Sequence, residues 1–275
     1  MKRKIILAII LSFFITQSLQ SSGQFKQEQV AERAKWEEFL KTAEIVSHQD
    51  IKEGVTKPIR LYLKKGDIEA SGAWKNPSGV QKGFLEGWQY EIAAYEMDKL
   101  LGLQMVPTTV EREFKAKRGS LQYWVEDIQY NLLDIMKQKI PFPPAGHAEH
   151  LNNTKYLTRA FDSLIANEDR TQQNILYTND WRMILIDHSR SFRSSKKFTE
   201  KLMFGKNGIR GTKLIRQLPR AFVEKIKALN FDIIKKAVGP YLKDKEIKAV
   251  LIRKELLLKE IDEMIKEVGE DKFLY

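Results

Sequence analysis

Residues 161–192 read FDSLIANEDRTQQNILYTNDWRMILIDHSRSF, and this stretch decides the reading of the whole chain. Its apolar residues begin at helical spacing and run into a polar loop. Two short apolar strands follow, around Asn174 to Tyr177 and Met183 to Ile186, joined by a turn at Asn179-Asp180. The loop carries Asp169; Asn174 stands five residues on, and Asp187 ends the second strand. A carboxylate in a rigid loop can orient an attacking hydroxyl and accept its proton. An amide oxygen and a second carboxylate, brought together by the hairpin, can hold a divalent cation against phosphate oxygens. Hard oxygen donors suit Mg²⁺ or Mn²⁺ rather than zinc. Alone, Asp169 and Asn174 would read equally well as turn and cap residues.

Outward from this stretch, the pattern divides the chain. Residues 24–42 carry Phe25, Val30, Trp36, Phe39 and Leu40 near a helical period. Residues 43–73 read as short strands broken by Gly54, Pro58 and Gly66, with Ile59, Leu61 and Leu63 alternating with polar residues. Residues 76–83 read as a turn-rich loop. Residues 87–101 form a strong helix stopped by Gly102. Two further strands, over 106–114 and 120–125, flank a basic turn. Beyond them come helices over 132–139 and 153–165, and residues 199–273 read as almost wholly helical. The expected architecture is α+β and two-lobed: an N-terminal helix (24–42), a small β-rich lobe with one helix (43–127), and a mostly helical lobe (128–275).

Composition narrows the chemistry. The 275 residues are 43% hydrophobic and 30% charged, enough for a real core. Cysteine is absent, which excludes disulfides, thiolate metal sites and a thiol nucleophile. The formal net charge is +11 and favours an anionic partner. His147 and His150 are the one pair with metal-ligand spacing; two histidines without a third ligand make a poor site. A basic run (Lys196, Lys197, Lys201, Lys206, Arg210, Lys213, Arg216, Arg220) is assigned to the C-terminal helices, as a solvated face or a surface for an acidic partner. No nucleic-acid-binding motif is present, and nucleic acid is not expected as a partner.

The N-terminus has the layout of an export signal. Met1-Lys2-Arg3-Lys4 precedes an apolar run over 5–15, and small polar residues follow to Gly23. The expectation is a signal peptide over 1–23 and a periplasmic or secreted product. If the segment is not cleaved, it becomes a membrane anchor.

The arrangement of Asp169, Asn174 and Asp187 resembles the catalytic loop and metal-binding Asp of the protein-kinase-like superfamily. The form D-R-x-x-x-N-I-L followed by I-D is similar to its atypical branch: phosphatidylinositol 3- and 4-kinases, HipA-type kinases and the secretory kinases of family with sequence similarity 20. Upstream, Trp88 to Thr109 (WQYEIAAYEMDKLLGLQMVPTT) is similar to the same branch. The resemblance spans roughly residues 45–195. It implies that Lys75 contacts nucleotide phosphates and that Glu91 pairs with Lys75. It implies that the backbone of Gly54, Val55 and Thr56 covers the phosphates. Tyr123 to Asp127 falls at the adenine-contacting hinge, with Glu126 among the nucleotide contacts. Asp169 is the catalytic residue, and Asn174 and Asp187 hold Mg²⁺ or Mn²⁺. Thr171 stands where the lipid-kinase form often has His, and Ser189 where the motif usually has Gly. The implied activity is ATP-dependent transfer of the γ-phosphate to a hydroxyl on a protein or glycan. The alternatives are a pseudokinase scaffold that binds an anionic partner, and a nucleotidyl transferase on the same fold.

Overall fold

The computed structural model describes residues 27–51 and 57–275. The export-signal expectation and the Gly54-Val55-Thr56 turn lie outside the described residues. A 3₁₀ turn, Gln27–Glu32, leads into α1 (Arg33–Thr42), so the helix expected over 24–42 is α-helical only in its second half. Strands β1 (Glu44–Asp50), β2 (Ile59–Lys65) and β3 (Ile68–Lys75) follow as an antiparallel meander. Leu61, Leu63 and Trp74 point to one face of the sheet and are buried there with Phe39 and Leu40 of α1. The other face bears Arg60, Tyr62, Ser71 and Lys75.

Next comes a hairpin, β4 (Ser78–Gln81) and β5 (Phe84–Gly87), where the sequence suggested a loop. Its turn is Lys82-Gly83, both at positive φ (49° and 84°). That is the two-residue geometry that matches strand twist and lets so short a pair close. Helix α2 (Trp88–Leu101) ends at Gly102 in the left-handed conformation, as the Gly stop implied. Buried Asp98 then accepts backbone N–H bonds from Gln104, Met105 and Val106, fixing the turn into β6 (Thr109–Phe114). Strand β7 (Lys117–Tyr123) completes a five-stranded sheet of order β1-β2-β3-β7-β6. Gly72 is required there: a Cβ at this position would meet Leu121 at 2.7 Å and the Gln122 carbonyl at 2.9 Å.

The chain crosses to the second lobe at 124–127. Strand β8 (Ile128–Asn131) is followed by α3 (Leu132–Lys137), capped by the Asn131 side chain, and by α4 (Ala148–Ile165). Strands β9 (Ile175–Thr178) and β10 (Met183–Leu185) form the expected hairpin and pair with β8 in a three-stranded sheet. Helices α5 (Lys196–Glu200), α6 (Arg220–Ala228), α7 (Phe231–Val238), α8 (Asp244–Val268) and α9 (Glu270–Phe273) follow. Residues 201–219 are irregular rather than helical. Three glycines interrupt them, Gly205 and Gly211 at positive φ, and Pro219 starts the next helix. Most of the basic run therefore lies on a loop and not on helices.

The core is unevenly shared. The small lobe owns a compact cluster around Leu61, Leu63, Trp74 and Leu121. The large cluster runs from α4 through α8 and takes in Tyr90, Ala94, Met97 and Leu101 of α2. Tyr90 also donates to Glu246 at the start of α8 (2.7 Å). Helix α2 is thus built into the large lobe while its Glu91 faces the small lobe's Lys75. Among the described residues no helix is long and apolar enough to cross a membrane.

Candidate active site

Lys75 ends β3 and Glu91 sits one turn into α2. Lys75 Nζ donates to Glu91 Oε1 at 3.0 Å and to Asp187 Oδ1 at 3.1 Å. Both members of the first pair are nearly inaccessible to water. Burial works against the lysine's charge, but Asp187 and Glu91 outweigh it and hold its pKa above the ordinary lysine value. Burial likewise opposes ionisation of Glu91, and Lys75 with the His188 N–H overcomes it, so the carboxylate lies well below its usual range. The backbone N–H of His188 donates to Glu91 Oε2 at 2.9 Å. One carboxylate thereby ties strand, helix and metal loop together. Such a pair contributes geometry more than stability, because desolvation cancels most of its Coulomb gain.

The catalytic loop hangs from Asp162 and Arg170. Arg170 donates from Nε and Nη2 to the two oxygens of Asp162, at 3.0 and 3.1 Å, with both side chains buried. Its Nη1 donates to the carbonyls of Asn174 and Ile186. Arg170 thus pairs with Asp162 rather than with Asp187. Arg170 Nη2 also lies 2.8 Å from His188 Nε2, which therefore accepts. Burial and the Arg170 charge lower the His188 pKa and keep the imidazole neutral. Asn167 closes the loop, donating to Asp162 and accepting the Asp169 N–H. Asn174 Nδ2 donates to the Asp169 carbonyl at 2.9 Å, and Ile186 N to the Asn174 carbonyl at 3.2 Å. These bonds bring Asp169, Asn174 and Asp187 to one side of the cleft, facing Lys75. Asp187 has φ +61°, a left-handed backbone that costs a non-glycine residue about 1 kcal/mol or more and is a mark of functional loops.

Asp169 is partly accessible. Burial raises its pKa and Asp187 adds to the rise, while Arg190 opposes it. Arg190 Nη1 lies 3.2 Å from Asp169 Oδ2. The same guanidinium is anchored on buried Glu86 of β5, at 2.8 and 2.7 Å. Arg193 donates to Glu168 and to the Leu85 carbonyl, and Gly87 N to the Ser189 carbonyl. The hairpin that sequence reading took for a loop thus braces the metal loop. Nothing local in the sequence signals Glu86; its partner is 104 residues away.

Asn174 and Asp187 offer hard oxygens of the kind that suit Mg²⁺ or Mn²⁺, which fill their remaining positions with water and phosphate. Among the described residues no group of three His, Asp or Glu forms a separate metal cluster, and His147 and His150 gain no third ligand. At the hinge, Trp124 N donates to the Ser71 carbonyl. Arg60 stacks over Trp124 at 4.3 Å and donates to Ser71 and Glu126. Glu126 is held at the outer edge of the interlobe link, with its side chain mostly exposed.

Neither protein-family models nor curated protein sequences match the chain. Solved structures do. Hydra Fam20, determined with sugar, is similar at TM-score 0.65 and 15% identity, covering 94% of this chain and 95% of that one. The Golgi casein kinase with Mn/ADP bound is similar at TM-score 0.65 and 13% identity, covering 92% and 80%. The Helicobacter pylori proinflammatory kinase CtkA is similar at TM-score 0.54 and 11% identity, covering 84% and 96%. The chain has the two-lobed fold of these kinase structures.

Proposed function

We propose that the protein is an ATP-dependent phosphotransferase with an alcohol acceptor, acting after export. The observation that carries this reading is the Lys75–Glu91–Asp187 constellation, with Lys75 Nζ within 3.1 Å of both carboxylates across the cleft. A scaffold that had abandoned nucleotide chemistry would have no need to converge two carboxylates, one of them buried, on one lysine. In this reading Lys75 holds the α- and β-phosphates. The link over 123–127, Glu126 included, borders the base. Asn174 and Asp187 would hold Mg²⁺ or Mn²⁺, which would supply positive charge against the phosphates. Asp169 Oδ orients the acceptor hydroxyl and takes its proton as the new O–P bond forms. The bond to the β-phosphate oxygen breaks and ADP leaves. Arg190, braced by Glu86, holds Asp169 in place and favours its ionised form.

The Mn/ADP bound to the Golgi casein kinase supports this nucleotide and metal choice, and the sugar with hydra Fam20 supports a glycan as one acceptor class beside protein. The export reading rests on the N-terminal sequence alone. The test is incubation of the protein, cut after Gly23, with Mn²⁺ and ATP labelled at either the γ or the α position. The expected result is acceptor or self-labelling from the γ position alone, lost in Asp169→Asn. Labelling from the α position would make it a nucleotidyl transferase, and no labelling with retained anion binding would favour the scaffold.

A further inference from the structure

Beside the loop that carries Asp169 lies a second cavity of about 790 Å³. That volume is typical of small-molecule sites. Its walls come from four separated stretches: α3 with the Phe142-Pro143 turn, α4, the run from Arg170 to Gln172 on through the β9–β10 hairpin (Ile175, Tyr177, Met183), and the irregular loop at Phe204 to Lys213. Five cations line it; Arg170 is paired with Asp162, and the other four are Lys155, Arg159, Arg210 and Lys213. None of the four forms an ion pair among the described residues. Lys155 is bonded to neutral Asn152, Arg159 to the Leu214 carbonyl and Arg210 to the Glu168 carbonyl. Each guanidinium keeps most of its five donors. The walls hold two carboxylates in return: Asp162, whose oxygens are taken by Arg170 and Asn167, and Glu149. Burial and the like charges of Arg159 and Arg216 lower the Lys155 pKa, the sign of a cation cluster short of counter-charge. The floor carries the rings of Phe142, Tyr177 and Phe204.

The cavity shares one wall with the loop that carries Asp169. Arg170, Thr171 and Gln172 follow Asp169 directly, and the Arg210 charge is felt at Asp169. We propose that this cavity seats the acceptor, and that the acceptor is a sugar or short glycan bearing an anionic group, carboxylate or phosphate, near the hydroxyl that is phosphorylated. Cations at the rim meet the anionic group, and aromatic rings meet the apolar face of a pyranose. An extended acidic peptide fits less well. It is normally held along a sheet edge by main-chain bonds, whereas these walls are helices, a proline turn, loops and the β9–β10 hairpin, whose β9 is already paired on both sides. The word acceptor rests on the phosphotransfer reading; the binding site itself does not.

The test is calorimetric titration at low salt, without nucleotide, using glucose 6-phosphate, glucuronic acid, glucose, inorganic phosphate and hexaglutamate. Wild type is compared with Lys155→Glu/Lys213→Glu. A control, Lys245→Glu/Lys248→Glu, makes the same charge change on α8, outside the cavity walls. The expected result is saturable binding of glucose 6-phosphate or glucuronic acid, which tells phosphate from carboxylate. Binding should weaken about tenfold or more in the cavity variant, as loss of charge-assisted bonds requires, and about twofold or less in the control. Glucose and inorganic phosphate should each bind more weakly than the anionic sugar. The proposal is overturned by equal weakening in both variants, by phosphate binding as tightly as the sugar phosphate, by hexaglutamate binding best, or by no binding across the panel. Nucleotide titration of the same proteins separates the two readings. Anionic-sugar binding without a nucleotide response sinks the kinase reading and keeps the site; the reverse sinks the site alone.

Discussion

Two regions of the molecule handle charge in opposite ways. In the cleft nearly every charged group is matched: Lys75 with Glu91 and Asp187, Arg170 with Asp162, Arg190 with Glu86 and Asp169. Next to it, Lys155, Arg159, Arg210 and Lys213 face a cavity with little to neutralise them. Matched buried pairs fix positions, because each partner has one place where its charge is tolerable. Unmatched cations that share a concave wall fix nothing and attract what is missing. The contrast separates residues that hold the site from residues that hold a ligand.

The largest effect is expected where a matched group does chemistry. Asp169→Asn should lower the phosphotransfer rate by roughly 10²- to 10⁴-fold, the usual worth of a positioned base. The melting temperature should barely move, since Asp169 is partly exposed and its partner Arg190 keeps Glu86. Initial rates together with a thermal melt check both halves. Next comes the pair that only holds: Arg170→Met should cost about 3–5 kcal/mol by leaving the Asp162 charge buried without a counter-charge, its bond from Asn167 remaining. The double variant Arg170→Met/Asp162→Leu should recover much of that stability while the rate stays low. Full recovery of rate would place Arg170 outside the positioning role.

A third effect is a pH shift. The Asp169 carboxyl has a raised pKa and acts in its ionised form, so activity should fall on acidification at a pH above the ordinary carboxylate range. Arg190 opposes the rise, so Arg190→Met should move the acid limb of kcat/KM further up in pH. An unmoved limb would mean that another group sets it. The smallest effect concerns the back of the cleft. Glu37 of α1 accepts from Tyr95 and Lys99 of α2, at 2.7 and 2.9 Å. Glu37→Ala should cost about 1 kcal/mol by losing those bonds, measurable as a lower denaturant midpoint, with kcat nearly unchanged.

The grouping of Asp169, Asn174 and Asp187 was legible because all three follow within one loop and hairpin, at the spacing of the motif they resemble. The Lys75–Glu91 pair was legible only through the resemblance, since Lys75 lies just past the strands that alternation marks; the Gly102 stop of α2 was legible from the residue itself. The bracing hairpin was not. Its strands are four residues each and its purpose, Glu86 on Arg190, joins distant parts of the chain. Residues 201–219 misled because Leu202, Met203 and Phe204 with Leu214, Ile215 and Leu218 are apolar enough to suggest helix. They pack instead as a loop, Phe204 and Met203 in a small cluster of their own and Ile215 and Leu218 in the main core. The basic run was visible in sequence, but its meeting with Lys155 and Arg159 of α4 depends on tertiary folding. No periodicity in one stretch can report a cavity built from four.

The most direct measurement is a thermal-shift titration of the protein with ATP, with and without Mg²⁺ or Mn²⁺, beside Asp187→Ala. A ligand that binds only the folded state raises the melting temperature, by about 2.7 kcal/mol of stabilisation at a hundredfold excess over Kd. The account predicts a metal-dependent rise in wild type that is lost in Asp187→Ala. No rise with either metal, or a rise that survives Asp187→Ala, would contradict the assignment of this cleft to nucleotide and metal.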